Sequence, residues 1–233
     1  MNVNMKKVII ISSIFCCFVV FVGCGILFPK LKSEKLTCDN SGVTFYFPFY
    51  ERIRYRTDSI GKLAVAIPIK PNDSLNLYQN YRFSKSLCMM GEPILYNKTN
   101  QAKNVIRFSH FGAWSSPYSF RIEQNKSKVS ISFNKTQGHG NLGNRNIENG
   151  IIKRGIKNIN INDWKSVVSK MDSIDFWNME THGIEILDGA EWVFEALING
   201  RYHFVLRNTP EYYDGKEYAE LCNLVMQIYI QVN

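Results

Sequence analysis

Catalytic punctuation is scarce in this sequence. No Cys-x-x-Cys occurs, so thioredoxin-like redox chemistry has no support. The 4 histidines, His110, His139, His182 and His203, are scattered, and none stands in an HExxH pattern, so no metal site is expected. There is no GxSxG elbow, and without one a Ser/His/Asp set can be drawn from too many combinations to mean anything. Basic runs, zinc fingers and a recognition helix are also missing. A formal charge of +8 therefore points away from nucleic acid and toward anionic surfaces, either lipid headgroups or an acidic protein. Gly138-His139-Gly140-Asn141-Leu142-Gly143 matches GxGxxG literally. The residues after it, through Gly150, read as loop rather than as the helix that would turn its amides toward a phosphate. We expect no cofactor there. The stretch reads as a connection between antiparallel strands, in which His139 and Arg145 could serve as contact residues.

What is present begins with a greasy leader. Lys6 and Lys7 precede a run of about 15 apolar residues, the pattern of a secretory signal. The run closes in Phe21-Val22-Gly23-Cys24, which resembles the lipobox of bacterial lipoproteins, with Phe21 where the usual residue is Leu. The resemblance implies a signal peptide over 1–23, cleavage before Cys24, and a lipid on the Cys24 sulfur. Gly25 follows, where inner-membrane retention calls for Asp. The implied location is the outer membrane, facing the periplasm, if the host has one. An uncleaved anchor is the alternative, since the stretch extended through Phe28 would be about 31 Å long as a helix. A simple cleaved signal is the third option. All three place the remainder outside the cytoplasm, because the lysines stay inside.

With 45% hydrophobic and 13% aromatic residues, the exported part can bury a core. Residues 24–41 read as a tether, and 42–233 as a single domain. Pro, Lys, Asn and Gln crowd over 91–104, the one stretch where a seam could fall. Once the leader cysteines and Cys24 are set aside, Cys38, Cys88 and Cys222 are left. A Cys38–Cys88 bridge would close a loop of about 50 residues and add roughly 2–4 kcal/mol. Cys222 lies in a helical apolar stripe and reads as a small buried hydrophobe.

Strand formers crowd Gly42–Phe47, and Leu63–Ile67 is a second apolar run stopped by Pro68. Roughly helical spacing runs from Leu75 to Met90 and ends before Gly91 and Pro93. Three strands follow at 105–108, 118–123 and 129–133, the last with Val129, Ile131 and Phe133 on one face and Ser130 and Ser132 on the other. Residues 151–161 are extended. A helix capped by Asn162 or Asp163 carries Trp164, Val167, Val168 and Met171, and ends at Asp172-Ser173. Asn199-Gly200 between two strands predicts a two-residue hairpin, and a last helix follows Pro210. This order predicts an α+β fold, a mostly antiparallel sheet against two or three helices.

The hairpin register places side chains. If Ile198 pairs with Arg201, then Glu195 shares a face with Val193, Leu197, Tyr202, Phe204 and Leu206. A carboxylate in that setting must be bonded or paired, and Tyr202 is within diagonal reach. Glu195, Tyr202 and His203 are the weak catalytic candidates, with His203 on the opposite face. Trp192 opposite Arg207 is a candidate cation–π pair. Trp114, in an aromatic, polar segment, is the first choice for an exposed contact residue, with a place in the core as the equal alternative.

From Trp164 onward the chain resembles the C-terminal part of a broadly distributed bacterial family with no assigned reaction. The resemblance rests on Phe176-Trp177, Asp188-Gly189-Ala190-Glu191-Trp192, Glu195, Asn199-Gly200-Arg201-Tyr202-His203, Arg207, Pro210 and Leu221-Cys222. Where that family closes its hairpin with Arg-Trp-Ser-Pro, this chain has Arg207-Asn208-Thr209-Pro210 and lacks the second aromatic. It implies a shared module and no active site. The leading expectation is a membrane-tethered lipoprotein binding a protein or envelope component, as an inhibitor or immunity factor would. The alternatives are a periplasmic hydrolase using Glu195 as general acid/base, and a structural component of envelope assembly.

Overall fold

A computed structural model describes residues 45–48, 52–57, 63–70, 73–98, 103–136, 151–181, 189–212 and 215–232. The leader, Cys24, Cys38, His139, Arg145 and His182 lie outside them. Every described residue belongs to one compact unit within Leu36–Asn233.

Strands β1 (Arg52–Thr57) and β2 (Leu63–Ile69) pair antiparallel as a small sheet of their own. Helix α1 (Ser74–Met89) follows. A meander then lays down β3 (Asn104–Gly112), β4 (Tyr118–Asn125), β5 (Lys128–Thr136) and β6 (Ile151–Ile159). Next come α2 (Ile161–Ser173) and a 3₁₀ turn at Phe176–Asn178, then β7 (Ala190–Ile198), β8 (Arg201–Asn208) and α3 (Lys216–Gln231). The strand order is β6-β5-β4-β3-β7-β8, all antiparallel, so the hairpin returns to close against the first strand of the meander. The fold is α+β, one six-stranded antiparallel sheet with three helices.

Alternation along the strands sends side chains to two faces. One face packs Ile106, Phe108, Phe120, Ile131 and Phe194 against Trp164, Val167 and Met171 of α2 and Leu221, Val225 and Ile228 of α3. The other packs Phe111, Val193, Phe204 and Leu206 against Phe83 and Leu87 of α1, with Tyr46 and Phe47. Because both faces are covered, the central strands β3 and β7 are buried along nearly their whole length.

The hairpin takes the expected register, Ile198 with Arg201 through Trp192 with Arg207. Asn199 (φ 52°) and Gly200 (φ 78°) are both left-handed, as a type I′ turn requires. Four local expectations need correction. Residues 45–47 form a bend and not a strand, because Tyr46 and Phe47 turn in under α1. β2 runs through Pro68, which pairs with Ile53 in a sheet of only two strands, where each strand has a free edge for a residue lacking an N–H. β1 was not anticipated. The cap of α2 is Asn160, whose Oδ1 accepts from the Asn162 amide (2.9 Å) while Asp163 Oδ2 accepts from the Asn160 amide (3.0 Å). Asn162 and Asp163 are thus inside the helix, and Asp163 supplies the return half of a capping box. Asn160→Ala is expected to cost about 1 kcal/mol. It should lower the urea midpoint with an unchanged m-value, whereas an unchanged midpoint would deny the cap any weight.

Candidate functional site

One row of side chains across the sheet collects charge. Register sets Glu195 of β7 opposite Phe204 and Arg107, Arg107 of β3 opposite Arg121, and Arg121 of β4 opposite Ser132. Two guanidiniums side by side repel. The carboxylate that reconciles them comes from outside the sheet, on the segment that leaves α1.

That segment is aimed by a helix cap. Gly91 is left-handed (φ 68°), its amide reaches Cys88 O (2.9 Å), and the Glu92 amide reaches Leu87 O (3.0 Å). This is a Schellman ending, for which glycine is the suited residue. It turns Glu92 into the sheet face, where Oε2 lies 2.8 Å from Arg121 Nη1 and 3.6 Å from Arg107 Nη1. Oε1 accepts from Ser119 Oγ (2.9 Å) and Asn134 Nδ2 (2.7 Å). Tyr46 donates to the Glu92 carbonyl at 2.8 Å and holds the segment from above. Glu92, in the stretch read as a possible seam, is buried.

Arg107 is fully buried and spent on its neighbours. Its Nε donates to Glu195 Oε2 (2.7 Å), Nη2 lies 2.6 Å from the same oxygen, and Nη1 donates to Pro93 O (2.6 Å). Tyr202 donates to the other oxygen, Glu195 Oε1, at 3.0 Å. Burial pushes the Glu195 carboxyl above its ordinary range, and Arg107 and Tyr202 only partly oppose this. Burial acts on Glu92 in the same sense, but Arg121, Arg107, Asn134 and Ser119 outweigh it and hold that carboxyl low. Tyr202 is pushed well above the phenol value, first by burial and then by Glu195 beside it.

Of the three catalytic candidates the fold joins two, Glu195 and Tyr202. His203 is on the other face, its Nε2 3.0 Å from Met179 O and its ring against Phe176. Glu195 is 0% exposed, with Oε2 held by Arg107 and Oε1 by the part-buried Tyr202. Its chemistry is cohesion.

The expected pair of Trp192 and Arg207 is corrected. They are cross-strand neighbours, yet the Arg207 guanidinium sits over Tyr218 (5.9 Å) and donates to Glu180 O (2.9 Å). Trp192 packs on Phe108 and edge-on to His110. Both are buried, which removes them as surface contact residues. Cys222 is free and buried. Cys88 is disulfide-bonded to a cysteine outside the described residues, where the expected partner Cys38 also lies.

Trp114 is exposed (61%), on the turn after β3. β3, β5 and β8 end, and β4, β6 and β7 begin, at this same end of the sheet. Tyr212, after β8, is also exposed (79%). Sequence reasoning missed Arg107, Glu92 and Arg121. The single arginine inside the apolar strand Val105-Ile106-Arg107-Phe108 was a signal, and so was a glutamate directly after a helix-ending glycine.

Among the described residues no three His, Cys, Asp or Glu side chains gather as metal ligands would, and no helix is long and apolar enough to cross a membrane. No protein-family model matches the chain.

Proposed function

We propose that this chain is an exported lipoprotein, held through lipidated Cys24 to a membrane (the outer one where the host has it), whose folded part binds a protein or another envelope component and performs no chemistry of its own. The observation that carries the binding reading is the fate of Glu195, the fully buried carboxylate of the hairpin. Glu195, the residue on which a hydrolase would depend, is sealed and saturated by Arg107 and Tyr202. The large side chains left in solvent include the aromatics Trp114 and Tyr212, a residue class enriched at protein contacts. The lipid reading is supported by the Phe21–Cys24 pattern alone.

Two measurements test the two halves. Labelled palmitate is expected to enter the native chain and to be lost in Cys24→Ala. Label that persists in the variant, or never enters, rejects the anchor. Cross-linking in intact envelopes is expected to give a defined adduct that Trp114→Ala weakens. Turnover by the purified protein that one polar substitution abolishes would instead reinstate an enzyme.

A further inference from the structure

The two edges of the large sheet are finished differently. Along β8 the chain itself supplies cover. Thr181 O accepts from the Leu206 amide (2.8 Å), Met179 O meets His203 (3.0 Å), Glu180 O meets Arg207 (2.9 Å), and Trp177 O meets Arg201 (3.4 Å). Along β6, among the described residues, no segment does this. The strand is nine residues long, pairs among the described residues only with β5, and stands last in their order. An uncovered strand presents a row of unpaired amides and carbonyls, the template on which an extended chain adds as a further strand.

Charged side chains usually guard such an edge. Here they are drawn back over the faces. Lys157 Nζ donates to Tyr229 O (2.9 Å) and lies over the Tyr229 ring, and Arg154 donates to Asn134 Oδ1 (2.8 Å) and Met90 O (2.9 Å). Lys153 lies over Phe133. None of the three has an acidic partner among the described residues, so their charge is uncompensated. Between them Ile156 is 71% exposed on the edge strand. Gly155 lets the strand pass close to α3, since a Cβ there would collide with the Tyr229 hydroxyl.

We propose that β6 is a docking edge that takes an extended, acidic segment of a partner protein as a seventh strand, with Ile156 as its apolar anchor and Lys153, Arg154 and Lys157 as its charge complement. Charge also disfavours a second copy of this chain. Antiparallel self-pairing centred on Gly155 would set Lys153 against Lys157 twice, and like charges directly opposite destabilise a strand pair. The proposal rests on the binding function above and names the class of partner.

The test titrates the full chain in detergent with a labelled nine-residue peptide alternating valine and glutamate, alongside its valine–lysine counterpart. Hydrogen exchange reports where the peptide lands. The acidic peptide is expected to bind, to slow exchange in β6 selectively, and to weaken at least tenfold both in Ile156→Glu and in roughly 0.5 M salt, which shortens the Debye length to about 4 Å. Lys153→Glu, which leaves the Tyr229 and Asn134 contacts in place, serves as a second variant and is expected to weaken it about fivefold. Equal binding of the lysine peptide, protection away from β6, or indifference to both variants overturns the docking edge. Sedimentation as a dimer with β6 protected does so in favour of self-pairing. An envelope adduct that forms equally well with Ile156→Glu leaves the binding function standing and removes only this edge.

Discussion

Arg107→Met is expected to destabilise the protein by about 3–5 kcal/mol, the cost of leaving buried carboxylates without their cation. Glu195 would keep only Tyr202, and the Pro93 carbonyl would lose its donor. The loss has a pH signature. Removing the guanidinium raises the folded-state pKa of Glu195 further above its unfolded value. Stability linked to this group is then fully present below the unfolded pKa and lost as pH rises through the folded one. The deficit in urea unfolding should therefore be larger at pH 8 than at pH 5. Arg107→Met combined with Glu195→Leu should recover most of it, because a buried pair exchanged for apolar groups is often close to neutral. A single-variant cost below about 1 kcal/mol would sink the assignment of cohesion to this cluster.

The second large effect concerns His110. Its ring stacks on Tyr118 (4.7 Å, 6° between planes) and meets Trp192 edge-on, while Nδ1 has no hydrogen-bond partner among the described residues. Burial drives its pKa down from 6.5 to about 4, opposed only by a contact with its own backbone. Between those values the unfolded chain binds a proton that the folded one refuses. The stability concerned is present above pH 6.5 and drains away as pH falls to about 4, a swing of about 3 kcal/mol. His203 is also lowered, chiefly by burial, and works in the same direction, whereas the raised carboxyl of Glu195 works against both. The comparison must therefore be differential. His110→Phe keeps the stacking surface and should flatten the stability profile between pH 6.5 and 4 relative to the parent. Parallel profiles for the two proteins would show that His110 accepts its proton equally well in both states.

The contrast between these two sites explains which parts were legible. The Glu195–Tyr202 contact could be read before any coordinates, because both residues belong to one hairpin whose turn leaves a single register. Helix α1 and its ending at Gly91 were equally local. The charge network was not. Arg107 and Glu195 are separated by 88 positions, and nothing in either segment says that β7 returns to pair with β3. The polar side of β5 shows the same limit. Its serine alternation reads as one half of an amphipathic strand, yet Ser132 (7%) and Asn134 (4%) are buried; Asn134 donates to Glu92, delivered from the end of α1, and Ser132 donates to the Arg121 carbonyl. Trp192 and Arg207 were correctly placed across from each other and wrongly joined, since Tyr218 of α3 offers its ring to the guanidinium and only packing brings that helix there.

Sequence alone determined the local geometry of this protein: the left-handed Asn199-Gly200 turn, the alternation that divides each strand between two faces, and the stops that end its helices. Those features arise from backbone sterics and side-chain period, which act over a few residues. Tertiary structure decided strand order, the pairing of Glu92 and Glu195 with Arg107 and Arg121, and which edge of the sheet is left uncovered among the described residues. A buried charge is stabilised only by the partner that folding brings beside it, and chain separation carries no record of that choice.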